Sequence, residues 1–156
     1  MIEFPNLVVV LVGPENPGNV GFVTRVLANF GVNELRIVGE DCRQDQFAQM
    51  FSVHAHDILN NARVYDDLGS AISEVDLAWA ATARGGRNHS VTRALVPLAE
   101  LPNPNALEGK IALVFGREST GLFNDELEQC DLAFTIPASK DYPSLNLSHA
   151  VSVVLY

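Results

Sequence analysis

Five short apolar runs punctuate the chain: Leu7–Val12, Leu35–Val38, Leu77–Ala81, Ile111–Phe115 and Leu132–Ile136. They are rich in β-branched or small residues and are separated by segments long enough for helices. Strands buried on both faces read this way, so the pattern predicts an open, mainly parallel sheet of about five to six strands with helices on both faces, an α/β fold. Between the first two runs Val20, Val23, Val26, Leu27 and Phe30 recur at helical spacing, and Gly31 follows at the position of a C-terminal cap. Asp45–Asn60 and Asp66–Ser73 read as further helices, the second with Asp66 as N-cap, and Asn124 opens a short one over Asp125–Gln129. Leu147–Tyr156 is apolar on nearly every side and predicts a buried or interface helix. The stretch Pro97–Gly109, with three prolines and a terminal glycine, reads as the loosest part of the chain.

Ligands of open parallel sheets sit beyond the carboxyl ends of the strands. The segments there are Gly13–Gly21, Thr82–Arg87, Gly116–Gly121 and Pro137–Asn146, and they hold seven of the eleven glycines. Glycines so placed suggest close approach of backbone to a ligand. Familiar chemistries are absent. Gly13-Pro-Glu-Asn-Pro-Gly18-Asn19-Val20 has the glycine spacing of a phosphate-binding loop but lacks its Lys and its Ser or Thr, and no Gly-x-Gly occurs in the chain. His54 and His56 lie two apart, on different faces of a helix, and read as solvated polar residues rather than metal ligands. Ser119 and Ser144 lack the flanking glycines of a nucleophile elbow.

The 156 residues suit one domain. The net charge of −9 disfavours non-specific attraction to nucleic acid, so any RNA site must be a local patch. Eight of the ten cations are arginines, the side chain that holds phosphates in a planar fork. The N-terminus resembles no signal peptide and no apolar run is long enough to span a bilayer, which predicts a cytoplasmic protein. Cys42 and Cys130 stand apart and predict reduced, structural thiols; Trp79, inside a strand, predicts a core residue.

Three segments together resemble the TrmH-type branch of the SPOUT superfamily of RNA methyltransferases. They are Asn19-Val-Gly21-Phe-Val-Thr-Arg25, preceded by Pro17; Leu113-Val-Phe-Gly116-Arg117-Glu118-Ser-Thr-Gly121-Leu122; and Ile136-Pro137 followed by Pro143-Ser144-Leu145-Asn146-Leu147-Ser148. Each alone is weak, but their order and placement beside predicted elements make the set specific, and the resemblance spans nearly the whole chain. Thr82-Ala83-Arg84 with Arg87 is similar to the pattern of the members that act on the tRNA anticodon loop.

The resemblance implies a C-terminal deep trefoil knot, S-adenosyl-L-methionine as methyl donor, no metal, a homodimer, and transfer to a ribose 2′-hydroxyl, with nucleotide 32 of the tRNA anticodon loop as the expected target. Relatives acting on rRNA or on another tRNA position, and a non-catalytic RNA- or nucleotide-binding module, are the rival readings. The implied donor site draws on Thr82, Ala83, Arg84, Phe115, Gly116, Arg117, Glu118, Ile136, Pro137, Ser144, Leu145 and Asn146. The implied catalytic set is Asn19, Arg25, Glu118 and Ser144, and the implied RNA contacts are Arg25, Arg84, Arg87 and Tyr142. Arg25 could instead pair with a surface carboxylate. Glu118 could cap a helix end or orient Arg25, and Ser144 and Asn146 could form a turn after Pro143 and cap the last helix. The chain stops at Tyr156 inside an apolar helix with no polar cap. The expectation is therefore a single catalytic domain, residues 1–156, cut before a basic C-terminal extension that grips tRNA.

Overall fold

The computed structural model describes residues 2–83 and 95–156; Arg84 and Arg87 lie outside them. Seven strands form one sheet: β1 (Leu7–Val12), β2 (Glu34–Val38), β3 (Arg63–Tyr65), β4 (Leu77–Ala81), β5 (Leu95–Pro97), β6 (Ile111–Phe115) and β7 (Leu132–Thr135). Their order is β3-β2-β1-β6-β4-β7-β5, and every pairing between them is parallel. The five apolar runs are the five inner strands. The expected count of five to six is corrected to seven by the three-residue edge strands β3, which has only Val64 and Tyr65 beside a charged Arg63, and β5, which ends at Pro97. The strands β6 and β7 each enter between strands laid down earlier, β6 between β1 and β4 and β7 between β4 and β5.

Alternation along β1 divides the core in two. Leu7, Val9 and Leu11 pack with α1 (Pro17–Asn29), α2 (Gln46–Ser52), α3 (His56–Asn60) and α6 (Leu147–Leu155). Val8, Val10 and Val12 face α4 (Leu68–Ile72) and α5 (Asn124–Glu128) on the other side. One strand residue breaks the apolar rule: Arg36 of β2 is 1% exposed, donates to the Ala71 carbonyl at 2.7 Å and pairs with Glu34 and Glu74. A buried guanidinium is tolerable because its donors are met, and here it ties α4 to the sheet.

The helix ends refine the sequence reading. Asp45–Asn60 is two helices, because the chain turns at Val53, whose φ of 54° lies outside the helical region. Asp67, rather than Asp66, caps α4 by accepting from the Ser70 N–H at 2.7 Å. At α5 the Glu126 carboxylate accepts from the Phe123 N–H at 2.7 Å, so the first turn is closed from inside the helix. Pro97–Gly109 carries the end of β5 and two short 3-10 turns. His54 sits in the turn between α2 and α3, and His56 begins α3 with its Nε2 2.8 Å from the Gln49 carbonyl. Trp79 is buried, and neither cysteine is in a disulfide.

Candidate functional site

Because β1, β6, β4 and β7 are adjacent and parallel, the loops after them open at one edge of the sheet. The first two are fastened together by carboxylates. Glu118 accepts from the N–H groups of Glu15 (2.8 Å) and Asn16 (3.0 Å) and from Asn19 Nδ2 (3.0 Å). Glu15 returns the contact, its Oε1 accepting from the Ser119 N–H at 2.8 Å and hydroxyl at 2.7 Å. Those two bonds, the backbone one foremost, hold the Glu15 carboxyl below its ordinary range. Asn16 in turn caps α1 by accepting from the Gly18 N–H. Asn19 thus stands at the junction, and its Oδ1 accepts from Asn146 Nδ2 at 3.3 Å.

Asn146 is the N-cap of α6, accepting from the N–H groups of Ser148 and His149 and from the Ser148 hydroxyl. The capping role open to Ser144 therefore belongs to Asn146, and Ser144 is exposed two residues upstream. Three distant segments, 15–19, 118–119 and 146–148, meet through Asn19, Glu118 and Asn146. Glu118 does organise this end of the molecule, but it does so by holding the turn before α1 and not by reaching Arg25. Arg25 is exposed on α1 and, among the described residues, makes neither a hydrogen bond nor an ion pair. The expected alternative of a surface ion pair for Arg25 is thereby corrected.

Arg117 is spent internally. Its guanidinium donates to both Glu126 oxygens (2.9 and 3.0 Å) and to the Gly121 carbonyl, and lies 4.0 Å over the Phe123 ring. Burial would raise the Glu126 pKa, but the Arg117 and Phe123 donors outweigh it and hold the carboxyl low. The Arg117 main chain is engaged as well: its N–H donates to the Gly121 carbonyl at 3.3 Å, and its carbonyl accepts from the Gly121 N–H at 2.8 Å. Thr82 donates its N–H to the Phe134 carbonyl at 2.9 Å, which joins the ends of β4 and β7. Phe115 is buried at the end of β6; Gly116 and Ile136 are half-buried; Ala83, Pro137, Leu145 and Asn146 are exposed. Tyr142 is 79% exposed.

Two glycines of these segments are required by the protein's own packing. A Cβ on Gly21 would stand 2.5 Å from the Ala48 carbonyl oxygen, and one on Gly116 2.3 Å from the Gly121 carbonyl carbon. Close helix packing requires the first and a tight strand-to-loop turn the second, whereas a Cβ on Gly121 would meet nothing within 4 Å. Sequence reasoning missed Glu15, whose partner Ser119 is 104 residues away with no spacing signal to link them.

The SpoU rRNA methylase family model matches residues 6–156. This chain belongs to the SpoU methylase family. Its relatives include the tRNA (cytidine-2'-O-)-methyltransferase TrmJ of Methanocaldococcus jannaschii, 44% identical over 149 residues, 95% of this chain and 65% of that protein. Among solved SpoU-like structures, a Haemophilus influenzae protein described as a probable methylase family protein superposes with a TM-score of 0.89 at 34% identity, covering 98% of this chain and 64% of the other. TrmJ from Z. mobilis gives a TM-score of 0.84 at 29% identity, over 96% of this chain and 66% of that one. The chain spans just under two thirds of the length of the curated relatives it matches.

Proposed function

We propose that this chain carries the catalytic centre of an S-adenosyl-L-methionine-dependent tRNA 2′-O-ribose methyltransferase, acting on nucleotide 32 of the anticodon loop. The observation that carries the reading is the junction of Asn19, Glu118 and Asn146 beside an uncompensated Arg25, in a SpoU family member whose curated relatives include a tRNA (cytidine-2'-O-)-methyltransferase. The donor fits the loops after β4, β6 and β7: Phe115, Gly116, Ile136, Pro137, Ser144 and Leu145 are uncharged, and Leu145, 41% exposed, offers an apolar face for a purine. Main-chain groups of Ala83 and Asn146 and the Thr82 carbonyl would supply its hydrogen bonds, Arg117 shapes the loop through its bonds to Gly121, and Arg84 stays a proposed member outside the described residues. When bound, the donor supplies an electrophilic methyl group on a sulfonium.

The chain's own task is to align the 2′-hydroxyl in line with that methyl and to stabilise the alkoxide that develops. The role of Arg25 is to hold the phosphate beside the ribose and to stabilise the developing charge, not to act as base, because guanidinium groups in proteins have no proton acceptor to offer. Glu118 is a positioning residue that keeps Asn19 and Asn146 in register. Ser144, exposed before the cap, can hydrogen-bond the ribose. Tyr142, exposed at the loop tip, offers a ring to an unpaired base, and Arg87 a further phosphate contact.

The entry of β6 and β7 between earlier strands supports a C-terminal trefoil knot around this site. A homodimer is supported by α6, whose Val153 is 44% exposed beside an open cavity of about 650 Å³ lined by Phe4, Trp79, Leu101 and Tyr156. On α1, Val23 and Leu27 are buried in the chain's own core and add nothing to such a surface. No described helix is long and apolar enough to cross a membrane; the proposed setting is the cytoplasm, where tRNA is modified. An rRNA target is the second reading, favoured by the family's own description. Donor binding by calorimetry in excess chelator, followed by transfer of labelled methyl to unmodified tRNA or rRNA, tests the proposal. No donor binding would leave the non-catalytic module, and loss of turnover on chelation would overturn the metal-free mechanism.

A further inference from the structure

Phe22, Phe51 and Phe47 form a ladder of rings on the outer side of α1 and α2. The Phe22 and Phe51 centroids lie 4.4 Å apart with planes 9° from parallel; Phe51 and Phe47 follow at 6.1 Å and 25°. Phe51 is the half-buried middle rung, while Phe22 and Phe47 stay 40% and 47% exposed and neighbouring Met50 61%. Gly18 makes room for the middle rung, its Cα facing the Phe51 ring so closely that a Cβ would stand 3.1 Å from it. Along α1, Asn19, Phe22 and Arg25 follow at three-residue spacing, which makes each the surface neighbour of the next. The first rung therefore lies between the junction residue Asn19 and a guanidinium that no described group neutralises.

An exposed ring face beside a free cation, at the rim of a site that handles a ribose, is the chemistry that receives one nucleotide: the base stacks and the phosphate meets the guanidinium. We propose that Phe22 is the stacking platform for an unpaired base adjacent to the acceptor ribose, with Arg25 on the phosphate that joins the two nucleotides. This rests on the RNA methyltransferase reading above. The rival occupant of the face is a second copy of the chain. Position favours the nucleotide: the ring and the cation follow Asn19 along one face of α1, next to the junction with Glu118 and Asn146 where the acceptor ribose is proposed to sit.

The test pairs Phe22→Ala and Phe22→Trp with anticodon-loop RNA in which each nucleotide flanking the acceptor is replaced in turn by an abasic residue. Phe22→Ala raises KM for intact RNA about tenfold or more, the scale of one lost base stack, while donor affinity holds. Phe22→Trp restores it. One abasic position costs the wild type the same factor and costs Phe22→Ala nothing. An active wild type whose abasic penalties are equal in Phe22→Ala overturns the platform alone, as does a Phe22→Ala protein whose sedimenting mass falls, which would assign the face to a second copy. A wild type that methylates no RNA overturns the methyltransferase reading and the platform with it.

Discussion

Glu118 receives three N–H donors, and among the described residues its side chain makes no other hydrogen bond. Replacing Glu118 by Gln turns one acceptor oxygen into a donor facing donors, so we expect a loss of about 1–2 kcal/mol in chemical denaturation and weaker donor binding as Asn19 and Asn146 drift. Arg25 is the opposite case, a side chain the fold does not use. Arg25→Ala should leave stability and donor affinity nearly intact and lower methyl transfer at least about a hundredfold, the scale for one preorganised charge-stabilising group. Normal turnover in that variant would remove Arg25 from the mechanism. Glu126 gives a pH signature. Its folded-state pKa lies below the ordinary value of 4.5, so at neutral pH the Arg117 pair contributes in full, and the contribution is lost as pH falls below about 4.5 and a proton enters the folded form. Glu15, lowered by Ser119, acts in the same sense. Glu126→Gln should be less stable than wild type by about 1–3 kcal/mol at pH 7, and the gap should shrink toward pH 3. The polar identities at Asn19, Glu118 and Asn146 were legible as a motif. Their partners were not, because hydrogen bonds across about a hundred residues leave no periodicity in a sequence.

At the scale of elements, the packing of α2 over α1 depends on Gly21. Gly21→Ala would drive a methyl into the Ala48 carbonyl oxygen and push the helices apart, and we expect a cost of about 1–3 kcal/mol, seen as a lowered denaturation midpoint. The ring ladder should loosen with it, since Phe51 rides on the same surface. Strands buried on both faces announced themselves as apolar runs, and β1, β4 and β6 begin and end where those runs do. The edge strands β3 and β5 could not be read, because Arg63-Val-Tyr65 is too short for a run, Pro97 makes Leu95-Val-Pro97 read as a loop, and both pair on one side only. Nor could the break at Val53, where a β-branched residue adopts a positive φ that helical periodicity alone passes over.

The whole molecule adds what neither residues nor elements hold: the insertion of β6 beside β1, which brings segment 118–119 onto segment 15–19. Strand order is set by long-range pairing and is invisible in local pattern, so the site was legible as three motifs and its geometry was not. The net charge of −9 means that long-range attraction contributes little to RNA binding by this chain, and affinity for tRNA should fall only shallowly as salt rises. Sedimentation should give a mass near twice 16.9 kDa, and a clean monomer at micromolar concentration would remove the proposed dimer. The central claim, ribose methylation, is met most directly by mass spectrometry of nucleosides from unmodified tRNA incubated with the protein and S-adenosyl-L-methionine. The predicted result is a single 2′-O-methylated pyrimidine that maps to position 32 and is lost with Arg25→Ala; a methyl group on a base, or no methylated nucleoside from tRNA or rRNA despite donor binding, would contradict it.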